Sequence, residues 1–184
     1  MDAINRVDTA ILLWIQAHVR APFATPVVTV ITHLADGGAL WVAVTLALLI
    51  FRRTRRIGLT CAISMLIGLV VVNLAIKPAV ARVRPYEFIE TLERIIGAQL
   101  DASFPSGHTT HSLACAWVIF RRAPRRYGVP ALALAALIGL SRLYVGVHYP
   151  TDVLAGALIG IACAEAAMRI ERRIPRGRRD AERP

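Results

Sequence analysis

The sequence predicts an all-α integral membrane protein built as a bundle of six transmembrane helices. The mean hydropathy is +0.55, and 56% of the 184 residues are hydrophobic, which is too apolar for an ordinary soluble domain. The apolar residues are gathered into six runs. Arginines cluster between these runs, as is typical of the cytoplasmic loops of membrane proteins.

The chain length fits one domain with two short flanking parts. We interpret residues 1–20 as an N-terminal amphipathic segment, 21–171 as the six-helix domain and 172–184 as a basic cytoplasmic tail. The formal net charge is +10. Because the basic residues separate apolar runs instead of forming one continuous face, we expect membrane lipids and no nucleic acid as partners.

The N-terminal part predicts one surface helix and two short apolar runs. From Asp8 to Arg20 the pattern predicts an amphipathic helix lying on the inner membrane surface, and its apolar residues are Ile11, Leu12, Trp14 and Ile15. The runs 23–35 and 39–51 follow. A crossing helix needs about 20 apolar residues, so these runs are either short crossings or re-entrant segments. We count both as crossings.

Four further runs complete the six. Those at 57–76, 128–147 and 153–170 are long enough to cross a membrane, whereas that at 108–120 is shorter. Six crossings place the arginines of 52–56, those of 121–126 and the basic tail on one side, which the positive-inside rule makes cytoplasmic. Both termini are then cytoplasmic, in an inner or plasma membrane.

The opposite, extracytoplasmic side receives the turn at 36–38, the segment 77–107 and the turn at 148–151. Within 88–100, apolar residues recur at helical spacing against acidic ones. This spacing predicts a second, outer amphipathic helix. Such a helix either borders a lipid entrance or packs against the bundle as a lid.

The first polar cluster of the extracytoplasmic side is Lys77 with Arg84-Pro85. Basic residues next to a membrane helix commonly extend toward the headgroups without a further role. Lys77, however, is the only lysine among 22 basic residues. A compact ammonium suits a point-charge contact with phosphate, and the Arg84 guanidinium offers a fork of donors.

The second cluster is Pro105-Ser106-Gly107-His108, at the start of the fourth run. Ser106 fits a helix N-cap, which by itself would explain its presence. A helix N-terminus also binds phosphate through its free N–H groups, and His108 in the first turn is placed to give a proton to a leaving oxygen. His111, one turn further on, is interpreted as a structural or gating residue.

The third cluster contains Arg142, His148 and Asp152. Pro150 predicts that one helix ends near His148 and that Asp152 lies in the first turn of the next. There Asp152 either interacts with the helix dipole or accepts from one imidazole nitrogen and leaves the other nucleophilic. Arg142 lies within an apolar run, where an unpaired charge is costly, so it requires an anion.

In order along the chain, the clusters read Lys77-x6-Arg84-Pro85, Pro105-Ser106-Gly107-His108 and Ser141-Arg142-x5-His148-x3-Asp152. This pattern resembles the signature of the type 2 phosphatidic acid phosphatase superfamily. The resemblance implies a phosphohistidine formed on His148, with Asp152 orienting it and His108 acting as acid and then as base. It assigns the phosphoryl oxygens to Lys77, Arg84, Ser106, Gly107 and Arg142. No metal or cofactor is implied.

The resemblance therefore implies a lipid phosphatase, with undecaprenyl diphosphate as the first expected substrate. Phosphatidylglycerophosphate and phosphatidic acid are the alternatives, and a lipid phosphotransferase would use the same site. Related haloperoxidases share the pocket but are soluble, unlike this chain. A transporter or membrane scaffold would explain the apolar runs but not the three polar clusters.

Overall fold

The computed structural model describes residues 3–175, and over that range the chain is helical with no strands. This confirms the all-α class. The α-helices of the described residues are α1 (Ala3–His18), α2 (Thr25–Leu34), α3 (Ala39–Ile50), α4 (Arg55–Leu69), α5 (Lys77–Val80), α6 (Pro85–Phe88), α7 (Gly107–Arg122), α8 (Arg125–Tyr144) and α9 (Pro150–Arg173).

The helices form a bundle with two chemically different ends. At one end Glu171 is buried and pairs with Arg56 and Arg122; we call this the arginine end. At the other end lie His108, at the start of α7, and His148, between α8 and α9; we call this the histidine end. The polar clusters predicted from the sequence therefore share one end of the bundle.

Helix α7 occupies the middle of the bundle and packs against α4, α8 and α9. Glycines allow the close approach of α9. A Cβ atom on Gly160 would lie 2.5 Å from the Thr110 carbonyl oxygen, and one on Gly156 would lie 2.7 Å from that of Ser106. This close packing brings the N-terminus of α7 next to the first turn of α9.

Helices α2 and α3 form one bent pass through the bundle instead of two crossings. Thr25, at the start of α2, hydrogen-bonds Tyr144 at the histidine end, whereas Thr54, just after α3, precedes Arg56 at the arginine end. The helices meet at an angle of 47°. Their 10 and 12 residues correspond to about 15 and 18 Å, so neither crosses about 30 Å of hydrocarbon alone.

The predicted number of six crossings is therefore not confirmed. Within residues 3–175, the continuous helical stretch that begins with α4, together with α8 and α9, is long and apolar enough to span a membrane, and the bent pair would make a fourth span. The 16-residue α7 runs beside them. Including α7, five passes connect the histidine end with the arginine end. The Asp36-Gly37-Gly38 turn, with positive φ at both glycines, bends the chain between α2 and α3. The hydropathy pattern presents this bent pair as two separate crossings.

Helix α1 is present, but at the end opposite to the one predicted. Asp8 in α1 contacts Arg82 and Thr151, and Gln16 contacts the backbone of Thr91. Helix α1 therefore lies at the histidine end, while α9 finishes at the arginine end. Residues 3–175 therefore start and finish at opposite ends of the bundle, and the prediction that both termini share a side is not confirmed.

The predicted outer amphipathic helix is also wrong. Only the single turn α6 forms there, and residues 89–106 are irregular. Ile89 has an extended backbone (φ −106°, ψ 98°). Ile89, Leu92 and Ile96 are buried, so the apolar spacing marks anchors of a folded loop. In the C-terminal part, α9 continues to Arg173, two residues past the predicted domain boundary, and residues 176–184 of the predicted tail lie outside the described residues.

Candidate active site

His148 lies in the turn between α8 and α9 and is only 1% exposed. Its Nδ1 is 3.4 Å from Oδ2 of Asp152, which also accepts the Tyr149 backbone N–H at 2.9 Å. Pro150 opens α9, as predicted. Helix α8 ends at Tyr144, four residues before His148, so the histidine stands in the turn itself rather than at the end of the helix.

The other ring nitrogen of His148 faces a guanidinium. Nη1 of Arg84 lies 3.4 Å from Nε2 and donates to the Val147 carbonyl at 2.8 Å. Because a guanidinium can only donate, Nε2 presents a lone pair and Nδ1 carries the proton toward Asp152. Burial lowers the pKa of His148 to about 3; the hydrogen bond to Asp152 opposes this decrease, and the charges of Arg84 and Arg142 add to it. The ring is therefore neutral at pH 7.

Lys77 and Arg84 converge on the same carboxylate. Lys77 pairs with one oxygen of Asp101, and Nη2 of Arg84 donates to the other at 2.5 Å. Burial alone would raise the pKa of Asp101, but the hydrogen bond and charge of Lys77, together with Arg84, lower it. An anion of this protein thus occupies the donors that were predicted to bind phosphate.

Ser106 and His108 are held at the N-terminus of α7. The Ser106 hydroxyl accepts from the Thr109 hydroxyl at 2.9 Å and from the Thr109 N–H at 3.4 Å, so its predicted capping contact is present. Gly107 lies beside Lys77, whose Nζ would be 3.8 Å from a Cβ atom on the glycine. His108 donates from Nε2 to Asp36 at 2.9 Å, which leaves Nδ1 free.

Arg142 is fully buried and has no ion pair with a carboxylate among residues 3–175. Its Nη1 donates to the Thr32 hydroxyl at 2.6 Å, and its Nη2 lies 3.5 Å from Gln99 Oε1. Nε has no hydrogen-bond partner in the described part of the chain. A buried cation with only neutral partners and a free donor is suited to bind an incoming anion.

The structure brings all eight predicted residues to the histidine end. It also adds residues that the sequence reasoning missed: Asp101 on Lys77 and Arg84, Asp36 on His108, and Arg82 and Ser103 on Asp152. The sequence carries some signal for three of them. Asp36 and Asp101 are acidic residues on the predicted extracytoplasmic side, and Arg82 stands two residues before Arg84.

Comparison with known proteins identifies the family. Residues 57–176 match the PAP2 superfamily. The chain belongs to the PAP2 superfamily. This confirms the resemblance found in the three polar clusters.

The PAP2 relatives include proteins named for different lipid phosphates. The chain is 37% identical over 131 residues to an undecaprenyl-diphosphatase of Sulfolobus acidocaldarius, and this match covers 71% of this chain and 63% of that protein. It is 37% identical over 120 residues to the Bacillus subtilis undecaprenyl-diphosphatase BcrC, covering 64% and 61%, and 30% identical over 156 residues to phosphatidylglycerophosphatase B of that species, covering 78% and 73%. The chain thus spans about three fifths of the length of the two undecaprenyl-diphosphatases.

Two solved structures share the fold. The transmembrane phosphatidylglycerolphosphate phosphatase of Bacillus subtilis superposes with a TM-score of 0.76 at 26% identity, over 97% of this chain and 90% of that one. Aquifex aeolicus LpxE superposes with a TM-score of 0.77 at 28% identity, over 87% and 93%. The fold of this PAP2 chain is therefore shared with a solved transmembrane PAP2 phosphatase.

Proposed function

We propose that this PAP2 chain is a membrane lipid phosphatase that hydrolyses undecaprenyl diphosphate to undecaprenyl phosphate through a phosphohistidine on His148. One observation carries the proposal: Nε2 of His148 faces the donor-only guanidinium of Arg84, while Nδ1 faces the Asp152 carboxylate. This is the arrangement of a nucleophile with its orienting carboxylate. The undecaprenyl diphosphate assignment draws on the names of two 37% identical relatives.

In the first step the terminal phosphoryl group replaces the Asp101 carboxylate on Lys77 and Arg84. Arg142 and the N–H groups at the start of α7 bind the remaining oxygens and stabilise the charge of the transition state. Nε2 of His148 attacks phosphorus, the P–N bond forms, and the bond to the leaving oxygen breaks. Nδ1–H of His148, now part of a cation, is stabilised by Asp152.

His108 supplies the proton that the leaving undecaprenyl phosphate needs. Asp36 accepts from its Nε2, so Nδ1 is the atom available to the substrate. In the second step the neutral His108 removes a proton from water, the oxygen attacks phosphorus, and the P–N bond breaks. Inorganic phosphate leaves, and both histidines return to their starting protonation states.

An apolar groove offers a route for the lipid tail. The groove has a volume of about 350 Å³ and runs between α3 and α4 to His111; its lining includes Val42, Leu46, Met65 and Leu69. It opens laterally beside the Asp36 turn, so a prenyl chain would stay in hydrocarbon while its diphosphate reaches His108. This position at the groove's polar end fits the gating role considered for His111.

The membrane orientation follows from the arginines. The clusters at 52–56 and 121–126 lie at the end of the bundle opposite to His148, and the positive-inside rule assigns such clusters to the cytoplasm. The site is then extracytoplasmic in an inner or plasma membrane. Because residues 3–175 make five passes between the two ends of the bundle, α1 is then extracytoplasmic and the end of α9 cytoplasmic.

Phosphatidylglycerophosphate is the second candidate substrate. It is favoured by the structural match to a phosphatidylglycerolphosphate phosphatase over 97% of this chain.

A lipid phosphotransferase is the alternative reaction, because it would form the same phosphohistidine. Labelled phosphate would then appear on an added sugar or lipid acceptor instead of in inorganic phosphate.

The decisive experiment compares phosphate release from undecaprenyl diphosphate, phosphatidylglycerophosphate and phosphatidic acid by the purified protein in detergent micelles containing a metal chelator. We expect the fastest release from undecaprenyl diphosphate and none above background with His148→Ala. Trapping with labelled substrate should give an acid-labile, base-stable phosphoprotein that is missing in the variant. Release by His148→Ala at the parent rate would contradict the proposal.

A further inference from the structure

Arg82 follows a backbone position that side chains rarely adopt. Ala81 ends α5 with φ at 45°, the left-handed region that is unfavourable for a residue with a Cβ atom. The Arg82 carbonyl accepts from the Ser103 N–H at 2.9 Å, which holds the turn in place. The turn brings the Arg82 side chain inward, where it is 18% exposed. Backbone strain of this kind commonly marks a functional position.

One side of the Arg82 guanidinium holds the start of α9. Nη1 donates to Oδ1 of Asp152 at 2.6 Å and to the Thr151 hydroxyl at 2.7 Å. The guanidinium carbon also lies 3.9 Å from the centre of the Tyr149 ring. Contacts with three residues thus fix the turn that follows His148.

The other side of the guanidinium holds α1. Nη2 donates to Oδ2 of Asp8 at 2.8 Å and to Oδ1 of Asn5 at 2.9 Å. Asn5 and Asp8 are three residues apart in α1 and therefore share one face of the helix. Asp8 is 1% exposed and also accepts from the Thr151 N–H at 3.1 Å. Helix α1 is thereby tied to the same turn.

These contacts divide the two oxygens of Asp152 between different tasks. Oδ1 is taken by Arg82, while Oδ2 accepts from Ser103 and the Tyr149 N–H and faces Nδ1 of His148. Asp152 is fully buried, and a second buried carboxylate, Asp8, lies on the same guanidinium. Without that cation, two buried carboxylates would repel and one would take up a proton. A protonated Asp152 is a poor acceptor for His148.

We infer that Arg82 is a positioning residue that keeps Asp152 charged and turned toward His148, and that Asp8 and Asn5 of α1 hold Arg82 in place. This inference rests on the proposed function. It extends the catalytic unit to α1, which precedes the residues 57–176 that match the family. Arg82 occupies one of the six unspecified positions in the pattern Lys77-x6-Arg84-Pro85.

The test is a double-mutant cycle measured on the lipid that the parent protein hydrolyses fastest. We expect Arg82→Gln to lower kcat roughly 10- to 100-fold, the range found for outer groups that orient metal-bound histidines, with KM changed less than about threefold. Inhibition by inorganic phosphate should stay the same, because Lys77, Arg84 and Arg142 are intact. In Asp152→Asn, adding Arg82→Gln should lower kcat no further than about threefold, since both changes remove one function.

Asp8→Asn tests the part played by α1, and Arg6→Gln is its matched control because Arg6 is exposed on the same helix. We expect Asp8→Asn to lower kcat roughly three- to tenfold, a smaller loss than removal of the guanidinium itself. Arg6→Gln should leave kcat unchanged. Equal kcat values for Asp8→Asn and Arg6→Gln would remove α1 from the inference.

A purely structural ion pair would give different results. Arg82→Gln and Asp152→Asn would then act multiplicatively, or Arg82→Gln would lower only the melting temperature; either outcome overturns the inference. If Arg82→Gln does not fold, Arg82→Lys decides, because one ammonium cannot make the four hydrogen bonds. We expect its kcat to be reduced, and parent-like kcat would overturn the inference. Failure of the proposed function is separate, since the parent protein would then release no phosphate.

Discussion

Nη1 of Arg84 lies 3.4 Å from Nε2 of His148, so the side of the imidazole that faces the predicted phosphate pocket cannot carry a proton. The proton belongs to Nδ1, on the side of Asp152. A cation that would bind the substrate thus also selects the tautomer of the nucleophile. In the proposed mechanism, substrate binding and activation of the nucleophile would then depend on the same guanidinium.

The buried, neutral His148 should make stability depend on pH. Its folded pKa is lowered to about 3 by burial, whereas an unfolded histidine has a pKa near 6.5. Below pH 6.5 the unfolded chain takes up a proton that the folded chain does not, so the free energy of unfolding falls as the pH falls toward 3. At pH 5 the loss is about 2 kcal/mol.

The measurement is the melting temperature in detergent at pH 7.5 and pH 5 for the parent protein and for His148→Gln. We expect the parent to lose more stability than the variant between these values, because glutamine has no proton to gain. Equal losses in the two proteins would show that the His148 pKa is not lowered by folding.

Asp101→Asn should strengthen the binding of phosphate. The carboxylate neutralises Lys77 and Arg84, and phosphate must displace it, so removing its charge removes a competitor. We expect the inhibition constant of inorganic phosphate to fall roughly 3- to 30-fold, which corresponds to about 0.6–2 kcal/mol. Glu90→Gln, an exposed acid of the same segment, is the control. A weaker inhibition in Asp101→Asn than in Glu90→Gln would contradict the competition.

Asp36→Asn should weaken proton donation by His108. Asp36 accepts from Nε2 of His108 at 2.9 Å and thereby stabilises the protonated ring that the leaving group requires. We expect kcat on a lipid phosphate to fall roughly tenfold, within the range of general acid catalysis. The loss should be much smaller on p-nitrophenyl phosphate, whose leaving group needs no proton. Similar losses on both substrates would mean that Asp36 does not act through the acid step.

Gly156→Ala should disturb both packing and catalysis. A Cβ atom would lie 2.7 Å from the Ser106 carbonyl oxygen, so α9 and the N-terminus of α7 must separate. We expect a destabilisation of about 1–3 kcal/mol, as for other overpacked sites, together with a fall in kcat. Gly97→Ala, where a Cβ atom meets nothing within 4 Å, is the matched control. Activity and melting temperature equal to those of Gly97→Ala would refute the close contact.

The structural errors made from the sequence have a common origin in apolar spacing. Hydropathy presents 23–35 and 39–51 as two equal runs, and it cannot show that Asp36, Gly37 and Gly38 bend one pass instead of reversing the chain. The same spacing over 88–100 reads as a helix, although Ile89, Leu92 and Ile96 are anchors of an irregular loop. Periodicity records which residues are buried, and both a helix and a loop can bury every third or fourth residue.

The sequence by itself determined the all-α membrane class, the PAP2 membership and the residues gathered at the histidine end, because hydropathy and motif spacing are local properties of the chain. Only the tertiary structure decided the number of passes, the position of α1 and the contacts of Asp8, Arg82 and Asp101 with residues far along the chain. An ion pair such as Asp8 with Arg82 spans 74 positions and leaves no periodic trace. Whether this ion pair forms depends on how the helices pack, and that packing is determined by burial and charge in the folded protein.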